Sequence, residues 1–368
     1  MKILTIGSAM QDMFVLHSTP ECIELETPEG KKCFLLLKEG IKIEVPDLPK
    51  HIGGGATNSA VSFGRLGLQT GSFFKIGNDG AGQYIMHTLK KEGIDLSLVC
   101  KTEKKETGTS IILPCASGDR TTFVYRGANL TLEKNELPTN AIEKTDLLYL
   151  TSLSGPLAPL LSPIVQHIKK ETLVACNPGT SQLKGGAHYL REALSEIDIF
   201  ILNGYEAQLL FTELLCYEPS LAQKVTKKVN RSNEKELPRL LNPQPMENGK
   251  IFDLQVYFQA ILTHGPKIAV VTDGADGVYV AHQNTILYYP SLKIKVESTL
   301  GAGDAFGSTF TAYIAQGSSI EEALFAGISN AASVIEHLDT QTGLLKKDAL
   351  QERVKQIDTK KLQTFSLQ

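Results

Sequence analysis

Short apolar runs alternate with helical patterns along most of the chain. The apolar runs are bounded by turn residues, as expected for strands that are buried on both faces of a parallel sheet. We therefore predict an α/β fold: a three-layer α/β/α domain around a doubly wound, mostly parallel sheet. The predicted strands are 2–7, 71–76, 146–150, 172–176, 198–202 and 267–272, and the predicted helices are 56–66, 80–92, 158–169, 204–215, 252–263, 305–315 and 323–335.

Two regions depart from this alternation. Residues 13–50 contain an apolar run at 32–37 and an alternating run at 41–45, which predicts a half-exposed strand. Residues 108–126 contain two β-rich runs around the turn Ser117-Gly118-Asp119-Arg120, which predicts a hairpin. We expect both regions to form a small β-sheet lid over a site, although an extension of the main sheet is the alternative. Residues 218–250 are polar and rich in proline, and we predict a surface insertion there.

Composition narrows the classes of protein that fit this pattern. Hydrophobic residues make up 42% and charged residues 21% of the chain, values typical of a globular protein. The net charge of −3 gives no basic excess for binding nucleic acid. No apolar run approaches the ~20 residues of a membrane helix, and the apolar stretch at 1–7 is too short for a signal peptide. The six cysteines are scattered, so we expect reduced thiols in a cytoplasmic protein.

A glycine-rich segment at 297–307 carries the first candidate chemistry. It follows a strand-like run at 292–296 and matches neither a P-loop nor a Rossmann fingerprint. Glycines at a strand-to-helix junction let the backbone approach a ligand, and the first amides of a helix attract anions. Asp304 would repel a phosphate, so its presence suits a base that accepts a proton from an attacking hydroxyl. The alternative is that Asp304 is only a helix N-cap, and these residues alone leave both open.

A second glycine-rich segment, Gly53-Gly54-Gly55, opens the predicted helix 56–66. Asn58 lies in the first turn of that helix, and its amide offers both a donor and an acceptor. With the glycine amides it suits a neutral ligand that has several hydroxyl groups. The alternative is a turn followed by a helix cap, and we expect His51 to be an ordinary surface residue.

Taken together, these segments resemble the signatures of the ribokinase/PfkB family of carbohydrate kinases. The order and separation of the motifs fit that family over essentially the whole chain except 218–250. The residues that carry the resemblance are Gly53-Gly54 with Asn58, Arg65-Leu66-Gly67, Gly127-Ala128-Asn129, Asn203-Gly204-Tyr205-Glu206, Val271-Thr272-Asp273-Gly274-Ala275-Asp276-Gly277 and Thr299-Leu300-Gly301-Ala302-Gly303-Asp304-Ala305-Phe306.

The resemblance implies a single ribokinase-like catalytic domain over residues 1–368, with the lid formed by 13–50 and 108–126. It implies transfer of the γ-phosphate of ATP to a hydroxyl of a small sugar, with Asp304 as the base. The site residues that it implies are Gly301, Ala302 and Gly303 at the transferring phosphoryl group, Asp12, Gly53, Gly54 and Asn58 at the sugar, Asn203, Thr272, Gly274 and Asn330 at the nucleotide, and Glu206 at Mg²⁺, through water.

Several properties stay open at the level of the sequence. The acceptor could instead be a nucleoside such as adenosine on the same fold, and a protein of another class, a non-catalytic sugar or nucleotide sensor, is the second alternative. Potassium is uncertain as a cofactor, because Ser298 stands where the family often has an Asp. The resemblance further implies that lid strands can pair between two subunits in a homodimer.

Overall fold

The computed structural model describes residues 1–16, 21–27, 30–40, 42–115, 120–227, 237–246 and 249–367. In chain order its strands are β1 (Lys2–Ile6), β2 (Met10–Phe14), β3 (Glu21–Thr27), β4 (Gly30–Leu36), β5 (Lys50–Gly53), β6 (Gln69–Phe73), β7 (Lys75–Gly77), β8 (Cys100–Thr102), β9 (Thr109–Pro114), β10 (Arg120–Tyr125), β11 (Leu147–Leu150), β12 (Leu173–Cys176), β13 (Ile199–Asn203), β14 (Gln244–Pro245), β15 (Ile251–Phe252), β16 (Ile268–Thr272), β17 (Val278–His282), β18 (Thr285–Tyr289) and β19 (Gln363–Ser366). Its α-helices are α1 (Gly55–Arg65), α2 (Gly80–Lys91), α3 (Thr139–Ile142), α4 (Leu161–Val165), α5 (Thr180–Ala193), α6 (Gly204–Tyr217), α7 (Pro219–Lys227), α8 (Leu254–Thr263), α9 (Ala302–Ala315), α10 (Ile320–Ile335) and α11 (Lys347–Val354).

A central sheet organises these elements. Within the described ranges it has nine strands in the order β19-β18-β17-β16-β13-β12-β11-β1-β6. The six strands from β16 to β6 are parallel to one another, and β17, β18 and β19 extend the sheet with antiparallel pairing. The prediction of a doubly wound, mostly parallel sheet is confirmed.

Strand β11 shows why the strands are apolar throughout. Successive side chains of a strand point to opposite faces of the sheet. Leu148 and Leu150 therefore join the core that also contains residues of α4 to α8. Leu147 and Tyr149 join the core on the other face, with residues of α1, α9, α10 and α11. Because helices cover both faces, an uninterrupted apolar run is favourable in each central strand.

A smaller sheet of four strands, in the order β10-β9-β2-β5, lies apart from the central one. In its register Asp12 of β2 lies between His51 of β5 and Ser110 of β9. Strands β9 and β10 pair as the predicted hairpin requires, and its turn at 116–119 lies outside the described residues. We call these four strands the lid sheet, after the role that the sequence predicts for them. Strands β3 and β4 pair separately as a two-stranded unit, which we call the lid hairpin.

Three local predictions are wrong. No strand forms over the described residues 42–45 of the alternating run, nor over 292–296 before the glycine turn. Alternation indicates a strand only where a neighbour completes the hydrogen-bonded ladder. The helix predicted at 158–169 is reduced to a 3₁₀ turn at Gly155–Leu160 and the short α4, because Pro159 and Pro163 each lack an amide donor.

The segment 218–250, predicted as a surface insertion, contributes to the core in its described parts. Leu221, Leu240 and Leu241 are buried and join the same cluster as α6 and α8. Arg239 forms an ion pair with Asp273 in the loop after β16. The proline-rich, polar composition of the segment gave no indication that these residues contact the rest of the domain. Among the described helices, none is both long and apolar enough to cross a bilayer.

Candidate active site

The glycine turn Gly301-Ala302-Gly303-Asp304 forms the start of α9. Gly301 is the N-cap residue and has a φ of +78°, in the left-handed region that favours glycine. A Cβ at Gly301 would lie 2.8 Å from the Cβ of Thr340, so a larger residue does not fit. The first intrahelical bond runs from the Ala305 amide to the Gly301 carbonyl, at 2.9 Å. The preceding amides of the turn therefore have no acceptor within the helix, and the anion-binding role that the sequence suggested for them stays a prediction.

Asp304, in the first turn of α9, is held by the second glycine-rich segment. The Asn58 Nδ2 group donates a hydrogen bond to Oδ2 of Asp304 at 2.8 Å. The Oδ1 atom of Asn58 accepts from Thr340 Oγ1 at 2.9 Å and from Gln341 Nε2 at 3.0 Å. Asn58 itself is buried. Its amide is therefore fixed in one orientation, and it positions the Asp304 carboxylate.

The packing of α1 against α9 makes this contact geometrically feasible. Small side chains let the two helices approach closely, and the Ser308 hydroxyl donates to Ser62 Oγ at 2.7 Å across the buried interface. Gly54, before α1, has a φ of +101°, and a Cβ there would come within 2.5 Å of the Ser8 carbonyl oxygen. Glycine is thus required at the point where the chain enters α1.

Asp12 lies beside the same segment, in the lid sheet. It is buried, and a Cβ on Gly53 would come within 2.0 Å of its Oδ2 atom. The carboxylate therefore rests directly on the Gly53 backbone. Burial raises the pKa of Asp12 to about 6, although a hydrogen bond from Ser110 and the nearby His51 act in the opposite direction.

His51 is not the isolated surface residue that the sequence suggested. Its Nδ1 atom lies 3.6 Å from Oδ2 of Asp339, and its ring meets Phe14 edge-on at 5.7 Å between centroids. It therefore joins the lid sheet to the 337–343 loop behind the glycine turn.

Asn203 and Glu206 form a capping box at the start of α6. The Glu206 amide donates to Asn203 Oδ1 at 2.9 Å, and the Asn203 amide donates to Glu206 Oε2 at 3.1 Å. The Thr180 hydroxyl adds a bond to Glu206 Oε1 at 3.1 Å. Burial raises the pKa of Glu206 despite these donors. The Asn-x-x-Glu spacing of the sequence is thus explained first by helix capping.

A cavity of about 350 Å³ joins these parts. Six of the predicted residues line it: Gly301, Gly303, Asp304, Asn203, Glu206 and Thr272. Burial also raises the pKa of Asp304, and the Asn58 hydrogen bond offsets part of that rise. A larger groove, of about 1050 Å³, lies between the 289–294 loop and α11, away from the glycine turn. The smaller cavity is the one that brings candidate chemistry together.

Two further residues predicted at the nucleotide, Gly274 and Asn330, do not line the cavity. Gly274 has a φ of +54° and lies two residues after Thr272, but it does not itself line the cavity. Asn330 does not reach the cavity. It is fully buried, donating to Thr309 Oγ1 at 2.7 Å and accepting from the Leu345 amide at 2.9 Å. Its assignment to the nucleotide is corrected to a structural role between α10, α9 and the following loop.

Some lining residues were not assigned to the site from the sequence. Arg120 and Thr299 line the cavity, and so does Asn177. Thr340 and Gln341 orient Asn58 from a loop whose sequence matched no motif. The signal for Arg120 was its position as the last residue of the turn in a predicted lid hairpin, where the sequence left open an anionic ligand or an exposed turn residue. The signal for Asn177 was its position directly after a buried strand, where ligands bind in parallel sheets.

The residues present fit a partly hydrated magnesium ion. Within the described part of the chain, no three His, Cys, Asp or Glu side chains cluster as an all-protein metal site. Glu206 and Asp304 instead line one cavity beside the anion-binding turn. Mg²⁺ usually keeps several waters and binds through one or two carboxylates together with substrate phosphates.

The fold and this site define a phosphotransferase that uses an alcohol group as acceptor. A family model described as pfkB family carbohydrate kinase matches residues 21–347. The chain belongs to that family, and the base and the glycine turn that a non-catalytic sensor would be expected to lose are both present.

Individual relatives agree with this assignment. Ribokinase of Staphylococcus aureus is 28% identical over 274 residues, which cover 74% of this chain and 77% of that protein. The solved structure of Arabidopsis thaliana ribokinase complexed with ribose and ATP has a TM-score of 0.70 at 18% identity, covering 96% and 98% of the two chains. The nucleoside kinase of Methanocaldococcus jannaschii has a TM-score of 0.70 at 21% identity, covering 97% and 98%.

Proposed function

We propose that this protein transfers the γ-phosphate of ATP to a hydroxyl group of a small sugar. The observation that carries the proposal is the position of Asp304. Its carboxylate lies at the mouth of the glycine turn, in a cavity shared with Asn203 and Glu206. A base beside an anion-binding helix N-terminus suits a hydroxyl that attacks a phosphoryl group.

The proposed reaction is an in-line displacement. The acceptor oxygen forms a bond to the γ-phosphorus, the bond to the β–γ bridging oxygen breaks, and ADP leaves with that electron pair. Asp304 accepts the proton of the hydroxyl, and its raised pKa makes it a stronger base than an exposed carboxylate. The amides of Gly301, Ala302 and Gly303 would stabilise the charge on the transferring group.

Asp12, Gly53, Gly54 and Asn58 are proposed to hold the acceptor. A carboxylate packed on a glycine backbone can accept hydrogen bonds from two neighbouring hydroxyls, and the glycine amides supply donors. Because Asn58 already bonds Asp304, Thr340 and Gln341, its contribution would be chiefly to align the base with the acceptor.

Asn203, Thr272 and Gly274 are proposed to border the nucleotide, and Glu206 to hold Mg²⁺ through water. Magnesium would neutralise charge on the ATP phosphates. Ser298 is buried and accepts from the Leu300 amide at 3.2 Å. A neutral hydroxyl at this position, in place of a carboxylate, supports activity that does not depend on potassium.

A nucleoside is the second candidate acceptor. The likeness in fold to the Methanocaldococcus jannaschii nucleoside kinase favours it, and a nucleoside presents the same ribose hydroxyls to Asp12. The likeness in sequence to a ribokinase supports the free sugar. We prefer the sugar on that basis.

An ADP-release screen tests the proposal. Purified protein is supplied with Mg-ATP and with pentoses, hexoses, sugar phosphates or nucleosides, each with and without potassium. We expect acceptor-dependent ADP release that is highest with a sugar and independent of potassium. Faster turnover of adenosine than of every sugar would replace the preferred acceptor, and no acceptor-dependent ADP release at all would contradict the proposal.

The lid is further proposed to join two copies of the chain. Ile23, Leu25, Phe34 and Leu36 share one face of the lid hairpin and are between 41% and 50% exposed. An isolated two-stranded hairpin is marginally stable, and such a face favours burial. Phe123 on the lid sheet is also exposed, and we propose that the second copy covers this side chain as well. Light scattering should give a dimer that Phe34→Asp converts to a monomer, and a monomeric wild-type protein would contradict this.

A further inference from the structure

Arg120 connects the lid sheet to the glycine turn. It is the first residue of β10, the outer strand of the lid sheet. Its Nη1 atom donates a hydrogen bond to Thr299 Oγ1 at 2.5 Å, across 179 positions of the sequence. Thr299 precedes Gly301 by two residues, and both Arg120 and Thr299 line the cavity of the candidate active site. A guanidinium from the lid is therefore placed at the phosphoryl end of that cavity.

The charges around the cavity indicate what Arg120 can bind there. Asp304 and Glu206 both line it, and of the described lining residues Arg120 alone carries a positive charge. A nucleoside triphosphate brings several further negative charges. Magnesium neutralises only part of them, and the transferring phosphoryl group still needs a donor for its equatorial oxygens. A planar guanidinium is always charged and matches phosphate oxygens with two parallel donors.

Arg120 could bind either the transferring phosphoryl group or an anionic group on the acceptor, and its position distinguishes the two. Asp12 and Asn58, which are proposed to hold the acceptor, do not line this cavity, whereas the glycine turn and Asn203 do. Arg120 therefore lies on the nucleotide side of Asp304. An anionic group on the acceptor would be expected on the other side, beside Asp12.

We propose that Arg120 is a catalytic residue that binds the transferring phosphoryl group, exchanging its bond to Thr299 for the phosphoryl oxygens. This rests on the proposed phosphoryl transfer from ATP. Since Arg120 belongs to the lid sheet and Asp304 to the central domain, the catalytic set is complete only when the lid lies over the cavity.

Substitution of Arg120 tests this directly. Arg120→Gln should lower kcat by at least about 100-fold, and Arg120→Lys should retain part of the activity because it keeps the charge without the planar fork. The affinity for ADP should stay within about twofold, since ADP lacks the transferred group. Thr121→Ala, at the next position of the same strand with its exposed side chain on the other face, is the matched control and should behave as wild type.

A second measurement does not require turnover. Binding of ADP, magnesium and aluminium fluoride, which together mimic the transferring phosphoryl group, should be weakened at least about tenfold by Arg120→Gln. Equal binding of this mimic by Arg120→Gln and wild type would overturn the role of Arg120. So would a higher KM for the acceptor at unchanged kcat, which would place Arg120 at an anionic acceptor. Wild-type protein that binds the mimic but phosphorylates no acceptor would contradict the proposed function, while the comparison of the two proteins would still decide the role of Arg120.

Discussion

Asn58 donates a 2.8 Å hydrogen bond to Asp304, joining two glycine-rich segments that lie 246 positions apart in the chain. The bond favours the ionised carboxylate and therefore opposes the rise in pKa that burial produces at Asp304. Asn58 thus tunes the proposed base.

Replacing Asn58 by Ala should move the acid limb of the pH–kcat profile to higher pH. Without the hydrogen bond, the pKa of Asp304 rises further, so less of the base is ionised at a given acidic pH. Activity should fall more at pH 6 than at pH 8. Gln341→Ala is the matched control, because it removes a partner of Asn58 and leaves the bond to Asp304 in place. An acid limb that is identical in Asn58→Ala and wild type would show that Asn58 does not tune the base.

Asn58 and Asp304 also show how much of this site could be predicted from the sequence. The glycine spacing and Asp304 indicated a base at an anion-binding turn, and Asn58 was assigned to a polar ligand. Their direct contact depends on how α1 packs on α9, and no local pattern encodes that packing. Thr340 and Gln341 were missed for the same reason, because they act through a loop that follows α10.

The central sheet could be predicted better than the segments around it. Continuous apolar runs such as β11 and β13 have a single stable environment, the interior of a parallel sheet. The run at 41–45 has the alternating pattern of a half-exposed strand, yet its described residues pair with no neighbouring strand. Asn330 shows the converse difficulty. A polar residue in a helical pattern can be exposed for a ligand or buried with two partners, and only the packing of α10 on α9 decides between them.

Gly301→Ala should destabilise the protein, because the left-handed φ and the nearby Thr340 side chain both oppose a Cβ. We expect a loss of about 1–3 kcal/mol in the free energy of unfolding, measured by urea denaturation. Gly303→Ala is the matched control. Nothing lies within 4 Å of a Cβ at that helical position, so stability should be unchanged or slightly higher. Equal losses for both variants would contradict the conformational argument.

Asp12→Asn should weaken acceptor binding and raise the free energy of unfolding. The folded-state pKa of Asp12 is about 6, above its ordinary value of 3.8. The folded state therefore holds the proton more tightly, and stability falls as pH rises between about 4 and 6 and stays reduced above that range. The loss amounts to at most about 3 kcal/mol.

Asparagine cannot ionise, so Asp12→Asn should raise the free energy of unfolding by about 1–2 kcal/mol at pH 8, with little effect at pH 4. The same variant should raise the acceptor KM strongly at pH 8. The exposed Asp348 gives a control variant, Asp348→Asn, that should change neither quantity. Destabilisation by Asp12→Asn at pH 8 would contradict the assignment of a buried, costly charge.

Glu206→Gln should weaken the response to magnesium. The amide can still serve as acceptor in the capping box, so α6 should remain intact. The lost negative charge should raise the Mg²⁺ concentration for half-maximal activity by about tenfold. Glu213→Gln, on the same helix but outside the cavity, should leave this concentration unchanged. An unaltered magnesium requirement in Glu206→Gln would remove Glu206 from the metal site.

The most direct test of the account is the rate of phosphoryl transfer by Asp304→Asn, measured beside its affinity for ADP. The amide keeps the size of the side chain and cannot accept the proton. We predict a fall in kcat of about 10²–10⁴-fold, with ADP affinity within about twofold of wild type and an unfolding midpoint that shows a folded protein. Turnover at the wild-type rate in Asp304→Asn would contradict the assignment of Asp304 as the base.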